Sequence, residues 1–267
     1  MIQKNKIGII GCGWLGIPLS KLLLKKGYLI KGSTTSKNKL QKLRNLKINP
    51  FLIKICEDEI IGDINSFLKN LDILIINIPP KKIKTSNNSY ARKIYNLNRF
   101  IKKNLIDKII FISSTSVYGS NQGKVDFKTV PIPNSKNGIE ILESEKIIIK
   151  NKKCTIIRLG GLIGENRHPA YSLSKKNIVS RPDAPVNLIH LKDCLEIICS
   201  VIEKEKWGEK YLGVCPYHPK KADYYNKKCR EFGLKEVKFE KNYFTGKEIT
   251  DSRIKKDLNH DFIFPRL

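Results

Sequence analysis

The chain has 267 residues, 40% of them hydrophobic, which is enough for a sizeable core in one α/β domain with a smaller appended lobe. Its formal net charge of +26 rests on 42 lysines against nine arginines. Phosphate and base readers favour arginine forks, so lysines spread along every helix read as solvated faces, which excludes a specific nucleic-acid partner and leaves only weak, salt-sensitive background binding. No apolar run approaches the roughly 20 residues of a membrane span, and Met1 to Lys6 runs straight into the first strand with no room for a signal peptide. The expected compartment is the cytoplasm, with no membrane partner. Seven scattered cysteines fit buried thiols in a reducing compartment, and Cys215 and His218, lacking a second pair at ligand spacing, predict no metal site.

In chain order, Lys6 to Ile10 is a short β-branched run, Gly11 to Gly16 is Gly-x-Gly-x-x-Gly, and Pro18 to Lys26 has apolar residues at helical spacing. Strand, tight turn and helix are the context that motif needs to bind a dinucleotide. Gly11 permits the turn, Gly13 lets backbone approach a pyrophosphate, and Gly16 lets helix pack on strand, with Trp14 and Leu15 completing the cradle. A glycine turn without a ligand is the plainer alternative.

A second strand is expected at Tyr28 to Gly32, followed by Ser33, Thr34, Thr35 and Ser36 and a basic helix from Lys37 to Leu46. NAD-selective sites place an acid at the end of this strand to hold the ribose 2′-hydroxyl. None is present; small hydroxyls with Lys37 and Lys39 favour NADP over NAD, although Ser33 and Thr35 also suit a helix cap. Phe51 to Ile55 reads as a third strand and Asp72 to Ile78 as a fourth, ending in Pro79 and Pro80. In a doubly wound sheet, strand ends line the ligand crevice, so Asn77, Ile78 and Pro79 are cofactor candidates as well as an ordinary proline-terminated core strand. Tyr90 to Lys103 is an amphipathic crossover helix leading into a fifth strand at Lys108 to Ile112. The stretch Ser113 to Gly119 that follows is, on spacing alone, a serine-rich turn.

Four features taken together resemble the extended short-chain dehydrogenase/reductase superfamily of NAD-dependent epimerases and dehydratases: the glycine motif, Ser-Ser-x-x-Val-Tyr-Gly at Ser113 to Gly119, Arg158 ending a later strand, and Asn187-Leu188-Ile189-His190-Leu191-x-Asp193. The match runs nearly end to end. It is most like the atypical YeeZ-like bacterial branch, whose Gly-Trp-Leu-Gly, Arg-His-Pro and Asp-Ser-Arg stand here at Gly13 to Gly16, Arg167 to Pro169 and Asp251 to Arg253. The resemblance implies a Rossmann-type doubly wound parallel sheet with a small C-terminal α+β substrate lobe. It implies an NAD(P)-dependent oxidoreductase or epimerase-type enzyme acting on a small or nucleotide-linked sugar or carbonyl. Ser114 matches the catalytic serine and Ser116 a neighbouring substrate contact; Ser113 is assigned to the cofactor. Tyr118, Arg158, His168, Asn187 and His190 fall at substrate-side positions, each equally readable as a structural polar residue.

The family continues with Tyr-Gly-x-x-Lys and a later Glu. Here the frame holds Asn137, Gly138, Ile139, Glu140 and Ile141, then Glu145, so the tyrosine and lysine of the usual proton route are absent. Glu140, Glu143, His168 and Lys136 are the groups near enough in sequence to be weighed as substitutes. The loss keeps open a non-catalytic NAD(P) sensor or scaffold in the same fold.

Beyond this, Lys153 to Leu159 is a sixth strand, Gly160 to Gly164 resembles the loop under the nicotinamide, and Ala170 to Pro185 is a polar, mobile lid in which Lys175, Lys176 and Arg181 meet an anionic substrate. Leu191 to Ile202 is a helix. The small lobe is expected to hold a strand at Tyr211 to Val214, a helix at Lys221 to Phe232, a strand at Val237 to Phe239 and a helix after Thr250. The expected division is 1–160 with 190–206 as the dinucleotide-binding lobe, and 161–189 with 207–267 as the substrate lobe, the two sharing a cleft, with a homodimer compatible.

Overall fold

The computed structural model describes residues 5–80, 89–151, 153–241 and 246–267. The lead-in Met1 to Lys4 therefore lies outside the described residues. In chain order the elements are β1 (Lys6–Ile10), α1 (Gly16–Lys25), β2 (Leu29–Thr34), α2 (Asn38–Asn45), β3 (Asn49–Leu52), β4 (Lys54–Ile55), β5 (Ile60–Ile61), α3 (Ile64–Leu68), β6 (Ile73–Ile76) and α4 (Tyr90–Lys103). There follow β7 (Lys108–Ser114), β8 (Gly123–Val125), α5 (Lys136–Ile148), β9 (Lys153–Leu159), β10 (Gly161–Ile163), α6 (Ala170–Leu173), β11 (Leu188–His190) and α7 (Leu191–Glu203). The chain closes with β12 (Lys210–Gly213), α8 (Lys221–Glu231), β13 (Lys247–Ile249) and α9 (Ser252–Leu258).

Seven strands form one sheet in the order β12-β9-β7-β6-β1-β2-β3, and β1 pairs in parallel with both β2 and β6. The order reverses on either side of β1, which makes its carboxyl end the switch point of a Rossmann-type α/β sheet. β6 is Ile-Leu-Ile-Ile and wholly buried, as a central parallel strand covered on both faces must be. The helices follow from local chemistry as well. Ser89 caps α4 by accepting from the Arg92 N–H, Tyr90, Ile94, Leu97 and Ile101 bury one face at helical spacing, and Lys102 and Lys103 meet its negative end.

The chain divides into two compact units, Met1–Ser113 with Ile139–Ile157 and Ile198–Lys210, and Ser114–Gly138 with Arg158–Ile197 and Tyr211–Leu267. The core of the second includes Ile163, Ala170, Val179, Val186, Leu188, Tyr224, Tyr225, Cys229 and Val237.

Several expectations are corrected. The third strand breaks after Leu52, because β2 ends at Thr34 and offers the ladder nothing further; Lys54–Ile55 turns aside to pair antiparallel with β5. The strand expected at Tyr211 to Val214 forms as β12 and joins the large sheet. Val237 to Phe239 forms no strand, only a single bridge from Phe239 to Val179, since Val237 is drawn into the apolar core. The stretch from Ala170 is anchored by α6 and by buried Ala170 and Val179. Two pairings, β10 with β11 and β8 with β13, have no local signature, because three-residue strands are defined by distant partners.

Candidate functional site

In the first unit, β1 delivers its chain into a turn held by backbone and side-chain groups of Ser33 and Asn77. Gly11 has φ +102°, and a side chain there would collide with the Asn77 carbonyl oxygen. The Gly11 N–H donates to Ser33 Oγ at 3.1 Å and the Cys12 N–H to the Ser33 carbonyl at 2.8 Å. Asn77 donates from its own N–H to the Ile10 carbonyl at 2.9 Å and from Nδ2 to the Gly11 carbonyl at 3.0 Å. Gly16 opens α1, where a side chain would strike the Gly11 carbonyl. Gly13 differs: nothing lies within 4 Å of where its Cβ would stand. Leu15 at the helix start is buried and offers no side-chain cap, and the first turn holds no acid. An open backbone niche beside an uncapped helix start fits the diphosphate of a dinucleotide. Trp14 is half-buried beside it. Cys12 is inert, its thiol pushed up to about 11 by burial.

The neighbouring candidates divide. Ser33 and Thr34 are buried, Ser33 bracing the glycine turn and Thr34 Oγ1 accepting from the Ser36 N–H at 3.2 Å, while Thr35 is exposed. The first 56 residues contain no Asp or Glu, so no carboxylate stands at the end of β2. The Ile78 carbonyl accepts from buried Tyr90 at 2.8 Å, and Pro79 is exposed. Ser113 at the end of β7 is buried with its hydroxyl donated to Glu145 Oε1 on α5.

The second unit begins with Ser114, whose Oγ accepts from the Ser116 N–H at 3.1 Å and caps a 3₁₀ turn over Thr115–Val117. Ser116 Oγ is buried and has no hydrogen-bond partner among the described residues. Tyr118 is buried; its hydroxyl accepts from Arg158 Nη1 at 2.6 Å, and the guanidinium lies 5.1 Å from its ring centre. Tyr118 and Arg158 are thus partners of each other beneath the turn. Lys247 Nζ donates to the carbonyls of Thr115 at 2.7 Å and Tyr118 at 2.5 Å. Gly138, in the first turn of α5, leaves room for the Ser116 carbonyl, which a side chain would strike.

His168 accepts from the Ala170 N–H through Nδ1 at 3.2 Å, which puts its proton on Nε2, 2.9 Å from the Tyr224 hydroxyl. Burial, then the Lys228 charge, pushes its pKa down to about 4, so it is neutral at pH 7. His190 accepts from the Lys192 N–H, packs its ring 3.8 Å from that of Phe264, and is likewise held down by burial. Asn187 donates to the carbonyls of Lys247 at 2.8 Å and Pro185 at 3.2 Å and accepts from the Ile249 N–H at 3.0 Å, so it ties β13 in place. Asp251 caps α9 and accepts from the Leu212 N–H at 2.7 Å, while Arg253 reaches Asp257. No group of three His, Cys, Asp or Glu among the described residues is arranged to hold a metal, and no helix among them is long and apolar enough to cross a membrane.

No family model matches the chain. Protein YeeZ of Escherichia coli K12 is 32% identical over 269 residues, covering 98% of this chain and 97% of YeeZ. The chain belongs to the YeeZ family. YtcB of Bacillus subtilis, described as an uncharacterised UDP-glucose epimerase, is 27% identical over 230 residues, covering 74% of this chain and 73% of its own. Among solved structures, UDP-glucuronic acid 4-epimerase of Bacillus cereus in complex with NAD superposes with a TM-score of 0.79 at 20% identity, covering 96% of this chain and 91% of that one.

In this YeeZ-like chain the helix frame where the resemblance would place tyrosine and lysine has Asn137 half-buried and Ile141 buried. Glu140 accepts from the Ser89 hydroxyl at 2.8 Å and the Ala91 N–H at 2.9 Å, and Glu143 pairs with Lys146 at 2.7 Å. Glu140 is therefore engaged in tying α5 to the start of α4, whereas the Glu143 pair is an exposed one on the surface of α5. Sequence reasoning missed Lys247 and the Ser113–Glu145 bond. Lys247 is one lysine of 42 and lies outside every motif, so nothing local marks it.

Proposed function

We propose that the chain binds a nicotinamide dinucleotide in the Gly11–Gly16 turn and acts as an oxidoreductase or epimerase-type enzyme on a small or nucleotide-linked sugar or carbonyl. The carrying observation is the open niche over Gly13, beside a helix start with neither cap nor acid, while Gly11 and Gly16 are closed by backbone. Gly11, Gly13, Trp14, Leu15 and Gly16 would hold the diphosphate; Ser33, Thr34, Thr35, Asn77, Ile78, Pro79 and Ser113 would frame the rest of the cofactor. The missing carboxylate at the end of β2 favours NADP, although the Bacillus cereus neighbour was solved with NAD. When bound, the dinucleotide supplies hydride exchange at its nicotinamide. The chain contributes Ser114, which spends only its acceptor on Ser116 and keeps its O–H to donate to a substrate oxygen, and Ser116, with an unspent hydroxyl. Tyr118, Arg158, His168, Asn187 and His190 support the substrate side, the first two through the turn itself. Seven cysteines outside any disulfide, six of them buried, suit a reducing, cytoplasmic setting.

A second reading, a non-catalytic dinucleotide sensor or scaffold, is favoured by buried Ile141 and by the engagement of Glu140. Fluorescence titration with NADPH and NADH tests the shared premise: micromolar binding, tighter for NADPH, is expected, and binding of neither refutes both readings. A panel of carbonyls and nucleotide sugars then separates them. Turnover abolished by Ser114→Ala supports the enzyme; turnover untouched by it removes Ser114 from its role.

A further inference from the structure

Lys247 differs from the lysines on the solvated helix faces in what it bonds. Its ammonium meets two main-chain carbonyls, those of Thr115 and Tyr118, which bracket Ser116. Burial alone pushes it down to about 8, and no charged partner among the described residues offsets that burial. An uncompensated cation is costly to bury, and the apolar stem needs no ammonium to pack. The turn it grips has little support of its own. A three-residue 3₁₀ segment has poor hydrogen-bond geometry, and the bond that closes this one, from the Tyr118 N–H to the Thr115 carbonyl at 3.1 Å, uses a carbonyl that Lys247 also grips. Two charge-assisted bonds from Lys247 reinforce those neutral ones. The lysine is itself held, by pairing of β13 with β8 and by Asn187 Nδ2 on its carbonyl.

We propose that Lys247 is a positioning residue for Ser114, fixing through the Thr115 and Tyr118 carbonyls the turn that presents the Ser114 hydroxyl to a substrate oxygen. It rests on the enzyme reading above for what that hydroxyl meets; the order it imposes on the turn does not. Other titratable groups on the elements packed there are Lys124, Glu248, His190, and Tyr118 with Arg158. Lys247→Arg distinguishes Lys247 from all of them, because a guanidinium keeps its charge and donors to beyond about pH 10.

The test is amide hydrogen exchange on the full chain as wild type, Lys247→Met and Lys247→Arg, alongside NADPH titration of each. Lys247→Met is expected to speed exchange of the Ser116 and Tyr118 amides about tenfold or more at pH 7, while the β1 amides and NADPH affinity stay within about twofold. Lys247→Arg is expected to retain the protection. Wild-type protection at the turn should fall, beyond the intrinsic base-catalysed trend, as pH rises through about 8, and the arginine variant should show no such fall. Where turnover is found, Lys247→Met lowers kcat and leaves the KM for dinucleotide unchanged. Unchanged turn exchange in Lys247→Met overturns the proposal. So does equal loss in both variants with β8 and β13 exchanging faster too, which would make Lys247 mere packing for the strand pair. If wild type binds no dinucleotide and turns over no substrate, the functional reading fails, while the exchange result still decides the role of Lys247 at the turn.

Discussion

Two turns carry the candidate chemistry, and they are built in different ways. The Gly11–Gly16 turn is held by glycine conformation and by neighbours on adjoining strands of its own sheet, the side chains of Ser33 on β2 and of Asn77 just after β6. The Ser114–Tyr118 turn is held by side chains from far along the chain, Arg158 under Tyr118 and Lys247 over the two carbonyls. A turn shaped by missing side chains tolerates almost no addition, whereas a turn clamped from outside fails when a clamp is removed.

That contrast is sharpest where addition is tested. Gly11→Ala forces a side chain into a positive-φ site and against the Asn77 carbonyl, and about 3 kcal/mol of stability is expected to be lost in urea unfolding. Tyr118→Phe takes one acceptor from a buried guanidinium and should cost about 2 kcal/mol in the same measurement. Asn77→Ala removes one brace from the glycine turn, for about 1 kcal/mol. Gly13→Ala is expected to change stability by less than about 0.5 kcal/mol, because the space is open, yet to weaken NADPH binding by about tenfold or more. If stability and binding fell together, the niche would be structural and the two turns would not differ.

A pH-dependent effect concerns His168, held at about 4 in the folded chain against 6.5 in the unfolded. Between those values the unfolded state binds more protons, so the stability His168 contributes is present above about pH 6.5 and is lost as pH falls towards 4. His168→Gln should flatten that part of a stability profile measured by thermal unfolding, leaving the turn amides of Ser116 and Tyr118 unaffected.

The sequence by itself determined β1, α1, β2, α2, β6, α4, β7 and β9, the glycine motif in its strand-turn-helix context, and the missing carboxylate after β2. These are local: a buried parallel strand must be a short apolar run, an amphipathic helix must repeat near 3.6 residues, and a tight turn must use glycine. Only the tertiary structure decided that β12 joins the large sheet, that β8 finds β13, that Tyr118 and Arg158 bond to each other, and that Lys247 closes the serine turn. Each of those joins residues 40 to 132 positions apart or is chosen by a distant strand edge. A hydrogen bond between such partners leaves no periodicity in either segment, and a lysine that will be buried has the same letter as one that stays in water.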